Sequence, residues 1–559
     1  MVQLDFIVMA VFALLIFSIG LAFTRTGSKS GQAFFEAGGE TPWWINGLSL
    51  FISYFSAGTF VVWGSIAYKH GLVANTIQLT MAISGLIVAL FIAARWKRTG
   101  TRTAAEYIGI RFGKTAQQFY TYLILIFSLV NTGAVLYPVG KMVYVATPFS
   151  LEACIIGIGI LIVLYTAAGG LWAVLVTDVV QFIILMAAVL IVIPASFAKV
   201  GGVNTFFTKA PADFFEPFAN DYTAGFMLAF IGYQTVYIGG NWSYVQRYTS
   251  VSNQRNARKV AYLFAFLYAL SPVVWMLPPM VYRVINPDLQ GLEPEGAYMM
   301  LCQSVLPAGL IGLVLSGMIS ATSSKANTTI NLSATVFAQD VYRSVFRPSA
   351  SEKEQIRIAR IFTIVFGAGT IGVALLVPSA GGIVEVVLSI AAIAGGALFA
   401  PIIWSLYSSR QTAVSVVFTT LVALIVSLSL KIIMPAAIGY KLNRSLETLI
   451  GVGLPLAVLG IFEYYYYTKK QFAPRALAMR QIGPQPTSEE QKSHHHDAQQ
   501  QNRFGITVIT IAAAVVGAGI AVLGIVSGYQ LTVVTVGTII FLLSTVALYR
   551  YVLRPGHSA

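Results

Sequence analysis

The feature that most restricts this chain is the recurrence of apolar windows long enough to cross a bilayer. A spanning helix needs roughly 20 mostly apolar residues, and backbone in hydrocarbon must satisfy its own hydrogen bonds, which favours helices over loops. Fifteen windows qualify, near 5–23, 43–68, 73–95, 116–145, 151–167, 171–199, 223–249, 258–283, 306–341, 356–377, 380–407, 410–434, 446–466, 505–526 and 531–552. The expected fold is therefore an all-α polytopic membrane protein with about 15 transmembrane helices. Composition points the same way: 57% of the 559 residues are hydrophobic and 10% are charged, where a soluble domain carries about 25% charged residues.

A net charge of +14 would suit nucleic acid if it lay on one face, but the basic residues sit in short clusters between apolar windows. They read as topology signals. Alternate loops carry Arg25 and Lys29, then Arg95 to Arg102, Arg247 to Lys259, Arg343 to Arg360, Arg410, Lys469 to Arg480, and Arg550 with Arg554. The positive-inside rule then puts the N-terminus outside a cell membrane and the C-terminus in the cytoplasm. The first window has no basic residue before it and no small-residue cleavage site, so it is expected to be a retained span. Cys154 and Cys302 lie in or beside apolar windows and read as free thiols. Residues 474–501 read as a flexible cytoplasmic linker, and His494, His495 and His496 within it as solvated side chains.

No phosphate-binding loop, zinc motif or nucleophile elbow is present. A Ser–Lys dyad from Ser323 or Ser324 is chemically thinkable, but hydroxyls in spanning helices more often serve packing. The expectation is a non-enzyme with no resident cofactor, whose partners are the lipid bilayer and a small solute. Its oligomeric state is not legible.

Two windows look interrupted. The first is broken by the polar and small residues from Ser53 to Thr59, and the window at 223–249 by Gln234 to Asn241. Unwound backbone at mid-membrane is tolerated only where it lines a protein-enclosed cavity, and two such breaks five spans apart point to an inverted-repeat transporter. Small residues also serve plain helix packing. A third window holds the polar run SATSSKANTTIN, Ser320 to Asn331, with Lys325 at apparent bilayer depth. An ammonium there costs about 2.5 to 3.5 kcal/mol on insertion scales.

Several stretches together resemble one family. GGLWAVLVTDVVQ (Gly169 to Gln181), the long run from Leu306 to Arg343, PWWINGLSLFISYFSAGTF (Pro42 to Phe60) and VQR (Val245 to Arg247) are similar to signatures of the solute:sodium symporters, a family that includes sodium/sugar cotransporters. The resemblance covers roughly residues 5–470 in order. It implies a core of two inverted five-helix repeats, 43–199 and 223–407, with the first and sixth core helices discontinuous. Around it would lie an N-terminal helix and loop (1–42), an external loop (200–222), two accessory helices (408–470), a hydrophilic linker (471–503) and two C-terminal helices with a short tail (504–559).

The resemblance also implies a sodium site made from carbonyls and hydroxyls. The carbonyls fall on Ile52, Phe55 and Ala321, and one hydroxyl on Ser324. The second hydroxyl position holds Lys325, a departure from the pattern. Residues 321, 324, 325 and 328 share one helical face, so the lysine stands inside the site. An ammonium about 4 Å from sodium repels it by about 4 kcal/mol at an effective dielectric of about 20.

Three readings of Lys325 stay open: a tethered cation in place of sodium, a proton carrier, because burial disfavours the charged ammonium, or a lysine that snorkels to the interface. Asp178 is the expected partner. For the solute, the resemblance assigns Thr59, Gln78, Gln234 and Tyr268, with Tyr237 as a covering ring, Trp63 as a second flat wall and Glu385 as a further acidic candidate. A neutral polar solute, with sugars, polyols and uronates as examples, suits that lining. The function expected is secondary transport, coupled to protons or to no ion. A conventional sodium symporter with a displaced cation site and a membrane solute sensor are the alternatives.

Overall fold

The computed structural model describes residues 1–27, 41–101, 103–165, 171–473, 488–528 and 531–550. Every main element is a helix. In chain order they are α1 Gln3–Gly27, α2 Trp43–Tyr54, α3 Thr59–His70, α4 Val73–Arg98, α5 Lys114–Ala146, α6 Leu151–Tyr165, α7 Leu171–Val200, α8 Ala224–Gly240 and α9 Trp242–Thr249. There follow α10 Gln254–Ile285, α11 Leu310–Val336, α12 Glu352–Leu376, α13 Ile383–Ser405, α14 Ala413–Ala437, α15 Arg444–Thr468, α16 Ser488–Val526 and α17 Leu531–Leu548.

The expected number of spans needs correction. Among the described residues, ten helices are long and apolar enough to cross a bilayer, or eleven if α2 and α3 count as one bent span. Four of the fifteen windows supply no such helix. Windows 5–23, 151–167 and 306–341 contribute shorter apolar stretches, Gln3–Ile19, Leu151–Val163 and Leu310–Ser323. Window 223–249 divides into α8, of 17 residues, and the 8-residue α9. The three apolar stretches are 17, 13 and 14 residues long and α8 is 17, short of the roughly 20 apolar residues that a crossing needs.

The break between α2 and α3 bends the chain by 54°, and its cause is local. In an unbroken helix the Ser56 amide would donate to the Ile52 carbonyl and the Thr59 amide to that of Phe55. Instead Ser56 N donates to Thr59 Oγ1 (3.3 Å) and Thr59 N to the Ser56 carbonyl (2.9 Å). A hydroxyl side chain thus competes with the helical ladder for the Ser56 amide and a tighter backbone bond takes the Thr59 amide, which releases the Ile52 and Phe55 carbonyls. The second expected break is narrower than its sequence suggests: α8 runs unbroken through Gln234 to Gly240, and only Asn241 is extended, at φ −62° and ψ 127°.

Two close contacts set the positions of helices around this core. Asp5 in the first turn of α1 is buried, and its Oδ1 accepts from the Gly309 and Gly312 amides (2.7 and 3.1 Å) at the start of α11. A carboxylate there satisfies amides that the helix itself cannot. Farther along, α13 and α15 meet backbone to backbone. A Cβ on Gly396 would lie 2.0 Å from the Gly451 carbonyl, and one on Gly451 equally close to that of Ala392.

Candidate functional site

Two cavities adjoin at the break in α2–α3. The central one, about 740 Å3 of empty space, is bordered by Tyr54, Ser56, Thr59 and Trp63 from the break, Asn131 and Pro138 from α5, and Phe230, Tyr233, Gln234 and Tyr237 from α8. The other, about 810 Å3, is bordered by Ile52, Ser53, Asp178, Asn241, Arg247, Ala321 and Phe399. Asn131, Tyr237, Tyr244 and Lys325 border both.

The walls follow from sequence chemistry. Pro138 has no N–H for the carbonyl of Ala134 one turn earlier, and both residues line the central cavity. The Tyr54 hydroxyl donates to Gln234 Oε1, tying α2 to α8. Around it the ring centroids of Tyr237, Tyr244 and Tyr268 lie 5.9, 5.4 and 5.8 Å away. The cavity therefore presents flat ring faces edged with hydroxyl and amide groups.

Charge is placed sparsely. Asp178 and Arg247 are buried, with Asp178 Oδ2 accepting from Ser49 Oγ at 2.6 Å and lying 3.9 Å from Arg247 Nη2. The guanidinium also donates to Ser53 Oγ (3.2 Å) and to the Ser243 carbonyl (2.7 Å). This cluster joins α7, α2 and α9. Gln181, one turn beyond Asp178, donates to Ser320 Oγ at 2.8 Å and so fixes α7 against α11 beside Ala321.

Lys325 is partly buried and borders both cavities. Its carbonyl accepts from Thr329 Oγ1 (3.0 Å) in the ordinary backbonding of a helix. Its ammonium has no ion-pair or hydrogen-bond partner among the described residues. The Asp178 carboxylate expected to pair with it is held by Ser49 and Arg247 instead.

Of the expected cation-site residues, Ile52, Ala321, Lys325 and Asp178 border one cavity. Phe55 contributes a released carbonyl, while its ring packs on Trp275 at 3.7 Å. The Ser324 side chain lies outside the described residues. Of the expected solute residues, Thr59, Trp63, Gln234 and Tyr237 border the central cavity. Gln78 and Tyr268 are buried away from its lining; the Gln78 amide has no partner among the described residues, and Tyr268 packs edge-on against Phe51 and at a tilt against Phe264. Glu385 lies elsewhere, its carboxylate 2.9 Å from Lys431 Nζ and 3.2 Å from Arg444 Nη2.

Sequence reasoning missed Asn131, Tyr54 and Tyr244. Asn131 left a readable signal, an amide inside the apolar run around Leu129 and Val130. Arg247 was legible as a loop charge and as the end of the VQR stretch, but its burial within the short α9 was not.

Comparison with known proteins decides the family. Residues 34–422 match the sodium:solute symporter family. The chain belongs to the sodium:solute symporter family. It is a multi-pass membrane protein of that family, and it spans about 59% of the length of the myo-inositol cotransporters it matches. It is 27% identical over 401 residues to rabbit (Oryctolagus cuniculus) sodium/myo-inositol cotransporter 2, a match covering 65% of the chain and 59% of that relative. It is 26% identical over 414 residues to the sodium/glucose cotransporter of Vibrio parahaemolyticus, covering 68% of the chain and 76% of the relative.

Among solved structures, a substrate-bound, outward-open Na+-coupled sialic acid symporter superposes with a TM-score of 0.69 at 22% identity, over 85% of the chain and 99% of that structure. A nucleobase-cation-symport-1 family transporter in a closed conformation gives 0.53 at 14% identity, over 80% and 98%. At these identities the likeness concerns the fold, and it agrees with the inverted-repeat core that the symporter resemblance implies.

Proposed function

We propose that this symporter-family chain moves a small polar solute across the membrane by alternating access, holding it among Thr59, Trp63, Gln234 and Tyr237, without the usual sodium coupling. The observation that carries the proposal is the position of Lys325. It borders the cavity that contains Ile52 and Ala321, where the family resemblance calls for a hydroxyl. A fixed ammonium in a sodium site opposes the ion by roughly a thousandfold in affinity at about 4 Å separation. These residues do not fit a sodium ion, so proton-coupled or ion-uncoupled transport is favoured. Two relatives named for myo-inositol and glucose transport support a hydroxylated solute of the sugar, polyol or uronate class.

The test is uptake of radiolabelled myo-inositol, glucose and glucuronate by proteoliposomes containing wild type or Lys325→Ser, under separate sodium and proton gradients. Binding of radioactive sodium is measured in parallel. Wild type is expected to work without sodium and to bind little of it, and Lys325→Ser to gain sodium binding. Uptake by wild type driven by sodium alone, and unchanged in Lys325→Ser, would overturn this reading.

A further inference from the structure

We infer that the transported solute carries a carboxylate, and that Lys325 is the group in the shared wall of the two cavities that pairs with it. The inference rests on the transporter reading and narrows its solute class to anions. Lys325 is the one charged side chain among the described residues bordering the central cavity. An ammonium lining the interior without a counter-ion is costly, and the nearby carboxylate is already engaged: Asp178 faces Ser49 at 2.6 Å and Arg247 at 3.9 Å.

The tethered-cation alternative requires the ammonium to donate to carbonyls at the helix break. Those of Ile52 and Phe55 are released from the helical ladder, yet among the described residues neither they nor the Ala321 carbonyl accept a hydrogen bond from Lys325. Among the described residues nothing pairs with the ammonium on the cavity side, and an anion arriving from either cavity completes its charge. Charge-assisted pairing of this kind is stronger than a neutral hydrogen bond.

The rest of the wall describes the solute's body. Tyr54, Tyr237, Tyr244 and Trp63 offer flat faces, while Gln234 and Asn131 offer amides. That lining suits a compact hydroxylated ring, and a carboxylate added to it gives a hexuronate-like anion. Because Lys325 borders both cavities, the carboxylate can keep the same partner while the ring moves from one to the other. In the second cavity it meets the Arg247 guanidinium as well.

The experiment uses the full chain in nanodiscs and matched probes: glucuronate against glucuronamide, lactate against lactamide, and nicotinate against nicotinamide. Binding is read by tryptophan fluorescence, since Trp63 and Trp242 border the cavities, and transport by exchange in proteoliposomes. Wild type is expected to bind at least one carboxylate about tenfold more tightly than its amide. Lys325→Gln should lose that preference and Lys325→Arg should keep it, the latter also controlling for folding. Amides bound as well as carboxylates, a preference that survives Lys325→Gln, or no carboxylate bound at all would overturn the inference. Exchange of neutral probes alone would do so while leaving the transporter reading intact; no exchange of any sugar, polyol or panel probe under any gradient would count against both.

Discussion

At the residue scale the cluster of Ser49, Asp178 and Arg247 shows how a buried charge is made tolerable. Burial of both ions is expensive, and the attraction plus serine hydrogen bonds offsets it only while both partners are present. Asp178→Asn alone should therefore lower stability by about 3 to 5 kcal/mol by leaving the guanidinium uncompensated, and Arg247→Gln by a similar amount. The double variant should recover much of the loss. Thermal unfolding of the four proteins in one detergent checks this, and additive losses would show that the two side chains act separately.

The same cluster shows the reach of sequence reading. Asp178 was legible because it sits in a family-like motif, but its partner was not: hydropathy and spacing assign a residue to a helix and a face, and not to the neighbour that face meets. Gln78 and Tyr268 were misplaced for that reason, turned into packed interfaces beside the cavity. Thr59, Gln234 and Tyr237 were offered by the symporter resemblance, and all three border the central cavity.

At the element scale, the break between α2 and α3 could be read from Ser56 and Thr59, since hydroxyls that compete for backbone donors leave a local signature. The number of spans was over-read, because a hydropathy window does not show how long the apolar stretch of a helix within it will be. The seam between α13 and α15 offers a sharp contrast on one helix. Gly451 has the Ala392 carbonyl within 2.0 Å of its would-be Cβ, whereas Gly453 has nothing within 4 Å. Gly451→Ala should cost about 1 to 3 kcal/mol through overpacking. Gly453→Ala should add about 0.5 to 1 kcal/mol through helix propensity. Melting temperatures moving in opposite directions are the expected result; equal shifts would mean the seam is slack.

At the scale of the whole molecule, Glu385, Lys431, Arg444 and Glu447 link core helix α13 to the accessory helices α14 and α15, with Arg444 also 3.5 Å from Asp221. The sequence offered Glu385 as a solute ligand, yet its carboxylate is committed to this partly exposed network. Pairs of that exposure contribute less than about 1 kcal/mol each. Glu385→Gln is accordingly expected to change solute affinity by less than about twofold, while slowing turnover if the accessory pair travels with α13. A large loss of affinity in equilibrium binding would return Glu385 to the solute site.

The capping of α11 by Asp5 has a mechanical meaning. Holding the Gly309 and Gly312 amides makes that end a pivot, and Lys325 stands thirteen residues beyond Gly312, about 20 Å along the axis. A lever of that length turns a tilt of about 6° into an ammonium displacement of about 2 Å, enough to make or lose a hydrogen bond. The first turn of the N-terminal helix thus sets how finely the charge deep in the protein can be moved.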